Sequence, residues 1–229
     1  MASKLIEVAR IGLSHIGILD IPPQAWPEPG QYLPCQKLGE DRSTNLFGVF
    51  SGGESHSAPA LAPLPESWQP GDQIACAMPH GRGFTLPRAA RRIGLLTFSQ
   101  APLRLLSLVG PALSQSAAVS LFCDAPIHND ILTQLPTSVE AAPLASLGEN
   151  LDWPEVLFVD IDRQEIETLS QFLGERHISF ECQVLIRTPM PCRGLAECGI
   201  CALKTHRGWR LACVDGPVFP LKEVLNVAQ

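Results

Sequence analysis

Charged residues are scarce in this chain of 229 residues. Lys, Arg, Asp and Glu together make up 17% of the sequence, against about 25% in an average protein. A free monomer usually has more charged surface than this, so the shortage favours a large interface with another subunit. The excess of acidic side chains, which gives a net charge of −6, excludes a general nucleic-acid binder because such a protein needs a basic face.

Two kinds of apolar segment are also missing. No stretch reaches the ~18 uninterrupted apolar residues that a membrane span requires. The N-terminal residues 1–10 lack the apolar core of a secretory signal and end on Arg10. The sequence therefore predicts a cytoplasmic protein without a membrane span.

Cysteine, in contrast, is abundant, with eight residues. Without an export signal, this number favours metal binding or redox chemistry over disulfides. Four of the eight are scattered singly and are expected to be small buried hydrophobic residues: Cys35, Cys76, Cys123 and Cys182. The other four lie within 22 positions near the C-terminus: Cys192, Cys198, Cys201 and Cys213.

The spacing of this second group is C-x5-C-x2-C-x11-C. Plant-type ferredoxins hold a 2Fe–2S cluster with C-x4-C-x2-C and one distant cysteine, so the order matches with one extra residue in the first gap. Gly194 and Gly199 allow the backbone to wrap closely around an inorganic core and to direct N–H groups at sulfur. Zinc is the alternative, although structural zinc sites usually use two short cysteine pairs and only Cys198 and Cys201 form one here.

Several segments, in the same order along the chain, resemble one known family. The chain is similar to the electron-transfer subunit of dihydroorotate dehydrogenase, in the ferredoxin-NADP reductase-like superfamily. The similar segments are the cysteine loop at 190–201, Cys-Val-Asp-Gly-Pro-Val-Phe at 213–219, Pro-Gly-Gln-Tyr at 29–32 (Pro-Gly-Gln-Phe in the family), Gly-Asp at 71–72 with the loop at 79–84, and Ala-Pro-Leu at 101–103.

The resemblance implies an α+β architecture in three parts. These are an FAD-binding-type β-barrel at 1–90, a nucleotide-binding-like α/β domain at 91–187 and a 2Fe–2S cluster module at 188–229. It also implies a flavoprotein catalytic partner, with Gly81, Gly83 and Phe84 at the FAD. His80 in the same loop lies near the flavin in this interpretation, and is otherwise a solvated loop histidine.

Two segments depart from the family. The FAD-binding segment Arg-Pro-x-Ser is replaced by a stretch in which Arg42 is the only arginine and no proline follows it, so the flavin pyrophosphate lacks its usual anchor. The glycine-rich run that approaches a nucleotide phosphate is also gone, because residues 95–100 contain no glycine. The nucleotide-binding loops are therefore degenerate, and NAD(H) binding is less expected than FAD binding.

Hydrophobic patterning agrees with this architecture. Short apolar stretches separated by proline and glycine predict a small barrel before residue 90. Beyond it, buried strands are expected at 93–98, 117–123, 156–160 and 178–186, with helices at 102–113 and 162–173. The proline-rich run 58–65 is predicted to be a surface loop. The acidic group formed by Asp160, Asp162, Glu165 and Glu167 is predicted to be a strand end and a solvated helix face.

The C-terminal module contains a predicted hairpin and a predicted helix. Gly208 lies at the bend of a hairpin that returns Cys213 to the other three thiols. Trp209, beside the bend, covers either the cluster or a partner surface. A short helix at 221–227 is expected to pack or to dock a partner.

Three functions follow as hypotheses. The first is an electron-transfer subunit whose four clustered cysteines hold a 2Fe–2S centre that exchanges electrons with a flavoprotein. The second is a complete NAD(P)H-dependent reductase with FAD and the cluster. The third is a non-enzymatic assembly subunit stabilised by zinc.

Overall fold

The computed structural model describes residues 1–12, 14–49, 60–98, 102–174 and 178–225. The first six strands follow one another along the N-terminal part of the chain. They are β1 (Ala2–Ile11), β2 (Ser14–Leu19), β3 (Tyr32–Lys37), β4 (Ser43–Val49), β5 (Ala60–Ala62) and β6 (Gln73–Cys76). A 3₁₀ turn at Pro23–Ala25 lies between β2 and β3.

These six strands form one antiparallel sheet in the order β1-β2-β5-β4-β3-β6. Since β1 also pairs with β6 through Ser3 and Ile74, the sheet closes into a barrel. Alternate side chains of the strands point inward and leave a small core of its own, which includes Leu5, Leu33 and Leu46.

The strand β5 corrects the prediction of a surface loop at 58–65. Leu61 pairs with Gly17 of β2 and Gly48 of β4, and all three residues of β5 are buried. Proline cannot donate a hydrogen bond to a neighbouring strand, but the three residues of β5 lie between prolines and keep their own N–H groups. A strand of this length can therefore pair on both sides. The part of the predicted loop before residue 60 lies outside the described residues.

The second sheet begins with five parallel strands and lies between short helices. The strands are β7 (Arg92–Thr97), β8 (Ala118–Cys123), β9 (Val139–Pro143), β10 (Val156–Asp162) and β11 (Glu181–Arg187). The helices are α1 (Leu103–Leu106), α2 (Val109–Ser114), α3 (Asn129–Leu132), α4 (Leu144–Glu149) and α5 (Ile166–Leu173), with a 3₁₀ turn at Arg163–Glu165. The central strands are buried on both faces, which explains their continuous apolar sequence.

The predicted helix at 102–113 is divided into α1 and α2. Pro111 has no backbone N–H and cannot donate to the carbonyl of Ser107, so a continuous helix would lose a hydrogen bond at this point. The chain instead turns at Ser107 and Leu108 and restarts at Val109. The predicted helix at 162–173 begins as the 3₁₀ turn, where the Asp162 and Glu165 side chains form a capping box.

The C-terminal residues form a hairpin and then return to the second sheet. The hairpin strands are β12 (Ala202–Thr205) and β13 (Gly208–Leu211), and Gly208 adopts the left-handed φ of +97° that its bend requires. The strand β14 (Val218–Pro220) then pairs antiparallel with β11 and leads into helix α6 (Leu221–Val224). The last described residues therefore pack at the edge of the α/β sheet. Among the described residues, no helix is long and apolar enough to cross a bilayer.

Candidate metal centre

Four cysteines come together beside the C-terminal hairpin. Residues 190–201 leave the end of β11 as an irregular loop that contains Cys192, Cys198 and Cys201. Hairpin β12–β13 returns the chain, and the Ala212 N–H donates to the carbonyl of Cys201 at 3.1 Å. Cys201 and Cys213 therefore lie at the base of the hairpin, both buried, while Cys198 lies exposed at the tip of the loop.

The thiols are arranged as two pairs. Cys192 pairs with Cys198, and Cys201 pairs with Cys213. Within the described ranges, no three His, Cys, Asp or Glu side chains surround one point closely enough to hold a single metal ion. Two thiolates on each of two irons is the ligand pattern of a 2Fe–2S cluster, whereas structural zinc needs all four ligands on one ion. Two pairs of thiols are in keeping with the ligand pattern of the two-iron centre.

Backbone N–H groups converge on the Cys192 sulfur. Burial by itself raises the pKa of the Cys192 thiol, but hydrogen bonds from the Cys198 side chain and from the N–H groups of Glu197, Cys198 and Gly194 lower it to about 7. Positive φ angles at Arg193, Gly194 and Ala196 turn these N–H groups inward. Such a loop stabilises negative charge on sulfur, which a metal ligand carries.

Cys213 lies in a more crowded position. Burial, followed by the hydrogen bond and the charge of Cys201, raises the pKa of the Cys213 thiol to about 12. Thiols this close repel one another once deprotonated, and bound metal cations compensate for that repulsion. The donor set therefore requires a cation to hold all four sulfurs as thiolates.

The residues that follow Cys213 each have a structural role. The Asp215 carboxylate accepts a hydrogen bond from the Leu211 N–H at 2.8 Å and ties the hairpin to the cysteine turn. Gly216 has no side chain because a Cβ there would overlap the ring of Phe219. Phe219 itself is buried in β14. The Asp-Gly-Pro-Val-Phe motif thus connects the cysteine site to the α/β sheet.

The glycine loop of the barrel contacts the cysteine module. The Arg82 N–H donates to the carbonyl of Gly216, and a Cβ on Gly81 would lie 2.7 Å from the Pro217 ring. Gly83 lies against the carbonyl of Pro29, and Phe84 packs edge-on against Phe158 at 5.2 Å between ring centroids.

None of the three residues predicted to bind FAD, namely Gly81, Gly83 and Phe84, is among those that line the cavity described next. Their role at a flavin therefore stays a prediction. His80 of the same loop lies beside Gly194 of the cysteine loop, because a Cβ on Gly194 would come within 2.8 Å of its ring.

A cavity of about 340 Å³ lies where the barrel meets the α/β domain. It is lined by Ser43, Thr44, Asn45 and Phe47 from β4, by Arg104 and Arg187, and by residues 188–191 that lead into the cysteine loop. The guanidinium of Arg104 lies over the Phe47 ring, 4.8 Å from its centroid. Three polar atoms of the lining, Arg104 Nε, Arg187 Nε and Thr188 Oγ1, are buried without a hydrogen-bond partner among the described residues, as expected of a site that binds a polar ligand.

The acidic group does combine a strand end with a helix face, but Asp160, near the end of β10, is buried. Its side chain is 0% exposed, and its carboxylate lies 3.2 Å from Arg187 Nε and 3.6 Å from Arg104 Nη1. Both contacts are ion pairs, because neither carboxylate oxygen of Asp160 makes an aligned hydrogen bond with a described residue. Burial lowers the pKa of Arg104, while the Asp160 charge acts in the opposite direction. Glu165 contacts Arg187 at 3.2 Å, so two of the four acidic residues compensate arginines beside the cavity.

Three residues at this junction were not identified from the sequence. Tyr32, the only tyrosine in the chain, donates its hydroxyl to the carbonyl of Cys213. Arg104 and Arg187 lie 83 positions apart and meet only through Asp160. The sequence did contain one signal for this buried charge. Asp160 directly follows the apolar run of β10, and a carboxylate within a buried parallel strand needs a cationic partner.

The cysteine loop is bordered by exposed apolar side chains. Leu195, Ile200 and Val214 are 65%, 48% and 54% exposed. Trp209 is 71% exposed, so in this chain it does not cover the cysteines. In contrast, the four scattered cysteines are all buried, and Cys35 and Cys76 face one another across β3 and β6 with sulfurs 3.2 Å apart.

Sequence comparisons agree with the cysteine site. Residues 190–225 match the family described as the iron–sulfur cluster binding domain of dihydroorotate dehydrogenase B. Over 179 residues the chain is 27% identical to the dihydroorotate dehydrogenase B (NAD(+)) electron transfer subunit of Desulforamulus reducens, a match that covers 69% of this chain and 67% of the relative. The resemblance inferred from the sequence motifs is thereby confirmed.

Solved structures share the overall fold. An NADH-dependent reduced ferredoxin-NADP oxidoreductase has a TM-score of 0.74 at 13% identity, covering 97% of this chain and 89% of that chain. The ferredoxin-NADP+ reductase of Plasmodium falciparum has a TM-score of 0.54 at 12% identity, covering 81% and 95%. At these identities the likeness concerns the fold alone, which is a ferredoxin reductase-like pair of sheet domains followed by the iron–sulfur binding domain.

Proposed function

We propose that this chain, a relative of the dihydroorotate dehydrogenase B electron-transfer subunits, relays electrons through a 2Fe–2S centre to or from a flavoprotein partner. The partner class is a flavin-dependent catalytic subunit such as that of dihydroorotate dehydrogenase. Cys192, Cys198, Cys201 and Cys213 hold the centre in this proposal. When bound, a 2Fe–2S cluster supplies one-electron transfer and no bond chemistry on a substrate.

One observation supports the proposal more than any other: four thiols from the loop and the end of the hairpin lie together, and backbone N–H groups of the loop point at the Cys192 sulfur. The loop residues stabilise anionic sulfur, and Asp215 and Gly216 hold the fourth cysteine against the sheet. The barrel contributes the contact between Arg82 and Gly216. All three parts of the chain, which we propose to divide at about residues 90 and 187, therefore hold the centre in place.

The partner surface is proposed to surround the exposed cysteine. Cys198 reaches the surface between the apolar side chains of Leu195 and Ile200. Apolar residues that are exposed together mark interaction sites, and the small charged fraction of the chain is in line with a covered face. An electron would enter or leave at this face because it gives the shortest route from the centre to a bound protein.

We place FAD, as the second cofactor, in the cavity at the junction of the two sheet domains. The β4 side chains Ser43, Thr44 and Asn45 offer hydrogen bonds, and the guanidinium groups of Arg104 and Arg187 offer N–H donors for a flavin or its phosphates. The buried Thr188 hydroxyl makes no hydrogen bond to any described residue and could donate to or accept from the flavin. These groups take the place of the arginine-proline segment that the family uses.

The test uses protein purified without oxygen. Iron and acid-labile sulfide should each approach two per chain, and dithionite should produce the paramagnetic signal of a reduced 2Fe–2S centre. Cys198→Ala should abolish both, whereas the matched Cys123→Ala, at a buried cysteine far from the loop, should leave them unchanged. Zinc without sulfide would instead support the assembly-subunit hypothesis and contradict the electron carrier.

The complete NAD(P)H-dependent reductase is the second candidate, and the cavity is the observation that favours it. A reductase would bind FAD in a one-to-one ratio and would reduce its own cluster with NADH. The loop after β7 opposes NADH binding, since no glycine there lets a phosphate approach the backbone. Cluster bleaching on addition of NADH to the isolated chain distinguishes the two functions.

A further inference from the structure

Tyr32 joins the barrel to the cysteine module. It is the first residue of β3, is fully buried, and donates its hydroxyl hydrogen to the backbone carbonyl of Cys213 at 2.9 Å. The two residues are 181 positions apart.

The hydroxyl points into the interior of the cysteine loop. A Cβ on Gly194 would lie 2.8 Å from the Tyr32 oxygen, so the loop backbone passes directly over it. The ring is held in place on two sides, by Phe47 at 6.3 Å and His80 at 6.1 Å between centroids. Backbone hydrogen bonds in both directions between Tyr32 and His80 complete the support.

The hydroxyl also lies within the electrostatic range of the cysteine sulfurs. Burial, and then the charges of Cys213, Cys201 and Cys192, raise the pKa of Tyr32 well above its ordinary value. Three of the four proposed ligands therefore lie close enough to interact electrostatically with the hydroxyl.

We infer that Tyr32 is a positioning residue for the iron–sulfur centre, which fixes the Cys213 backbone against the barrel and raises the reduction potential of the centre. The inference rests on the proposed electron-transfer function. One-electron reduction adds a negative charge to the centre, and a donor that draws electron density from the carbonyl of a ligand residue favours the more negative state.

The experiment compares the potential of the intact holoprotein with that of Tyr32→Phe, a change that removes a single oxygen atom. Iron and sulfide content should be unchanged. The midpoint potential, followed by the paramagnetic signal during a redox titration, should become more negative. We expect about a threefold change in the one-electron equilibrium, or about 28 mV, since a tenfold change is 59 mV for one electron.

Leu33→Val is the matched control. Leu33 neighbours Tyr32 in β3 and is equally buried, but its side chain lies in the barrel core. This variant should be less stable, with an unchanged potential. A Tyr32→Phe protein with wild-type iron content and a wild-type potential would overturn this inference but not the proposed electron-transfer function. Absence of iron and sulfide from the wild-type protein would overturn the proposed function itself.

Discussion

Asp160 is a buried carboxylate whose two counter-charges come from distant parts of the chain. Arg104 belongs to α1 and Arg187 ends β11, and both guanidinium groups approach the same side chain. A charge without exposure is tolerated only when it is paired, so the three residues form one electrostatic unit beside the cavity.

Asp160→Asn is expected to lower the free energy of unfolding by about 3 kcal/mol, since it leaves two neighbouring arginines without their shared carboxylate. Urea denaturation followed by circular dichroism measures the change. Asp152→Asn, at an exposed aspartate, serves as the control and should change stability by less than about 0.5 kcal/mol. Equal stability of the two variants would show that Asp160 does not stabilise the group that it forms with Arg104 and Arg187.

At the scale of elements, the short strand β5 completes the barrel between two longer strands. Its central residue Leu61 is fully buried and pairs with glycine on both sides. Gly17 is required at one of these positions, because a Cβ there would overlap the side chain of Leu64. The barrel therefore closes through a close backbone approach at its shortest strand.

Leu61→Ala should destabilise the protein by about 3 kcal/mol, because it removes buried methyl groups and leaves a cavity that rigid strands cannot fill. Thermal or chemical unfolding gives the value. The matched Leu38→Ala, at a mostly exposed leucine between β3 and β4, should cost less than about 0.5 kcal/mol. A small effect at Leu61 would contradict its place in the barrel core.

Asp72, in the turn before β6, makes the stability of the fold depend on pH. Hydrogen bonds from Lys37 and from the Gln69 N–H lower the pKa of Asp72. A carboxylate with a lowered pKa stabilises the fold above its unfolded pKa of about 4, and this contribution is lost as the pH falls through the folded pKa.

The melting temperature of the wild-type protein should therefore exceed that of Asp72→Asn from neutral pH down to about pH 4, with the difference vanishing below that. Asp41→Asn, at an exposed aspartate between β3 and β4, is the matched control for the loss of one surface carboxylate. Parallel melting curves for wild type and Asp72→Asn across the whole acid range would contradict the prediction.

At the scale of the whole molecule, the C-terminal module is held in two different ways. Residues 218–220 pair with β11 and residues 221–225 pack against the main core, whereas residues 191–200 form an exposed loop around the cysteines. Loss of the metal should therefore loosen the loop without unfolding the sheet.

Chelation under reducing conditions should accelerate tryptic cleavage after Arg193 at least several-fold, as mass spectrometry of timed digests would show. Arg92, exposed at the start of β7, should stay resistant because its backbone pairs with β8. Arg193→Gln removes the loop site and should suppress the early fragment. Simultaneous cleavage at both arginines would mean that the metal stabilises the whole fold.

Local patterns in the sequence were sufficient for much of this structure. Apolar runs predicted the parallel strands β7, β8, β10 and β11, because strands covered on both faces need side chains without charge. The hairpin bend at Gly208 was predicted from its turn residues. The strand β5, which was predicted as a loop, and the division of the first helix were missed, since prolines in both segments conceal the pattern.

The sequence by itself determined the metal chemistry. Cysteine spacing is a property of the covalent chain, so the four proposed ligands could be named before any fold was known. Only the tertiary structure decided what surrounds them, including the two thiol pairs, the buried Asp160 with its arginines and the Tyr32 hydroxyl on Cys213. Those contacts join residues that lie far apart in the chain, and burial and long-range pairing arise only when the barrel packs against the second sheet.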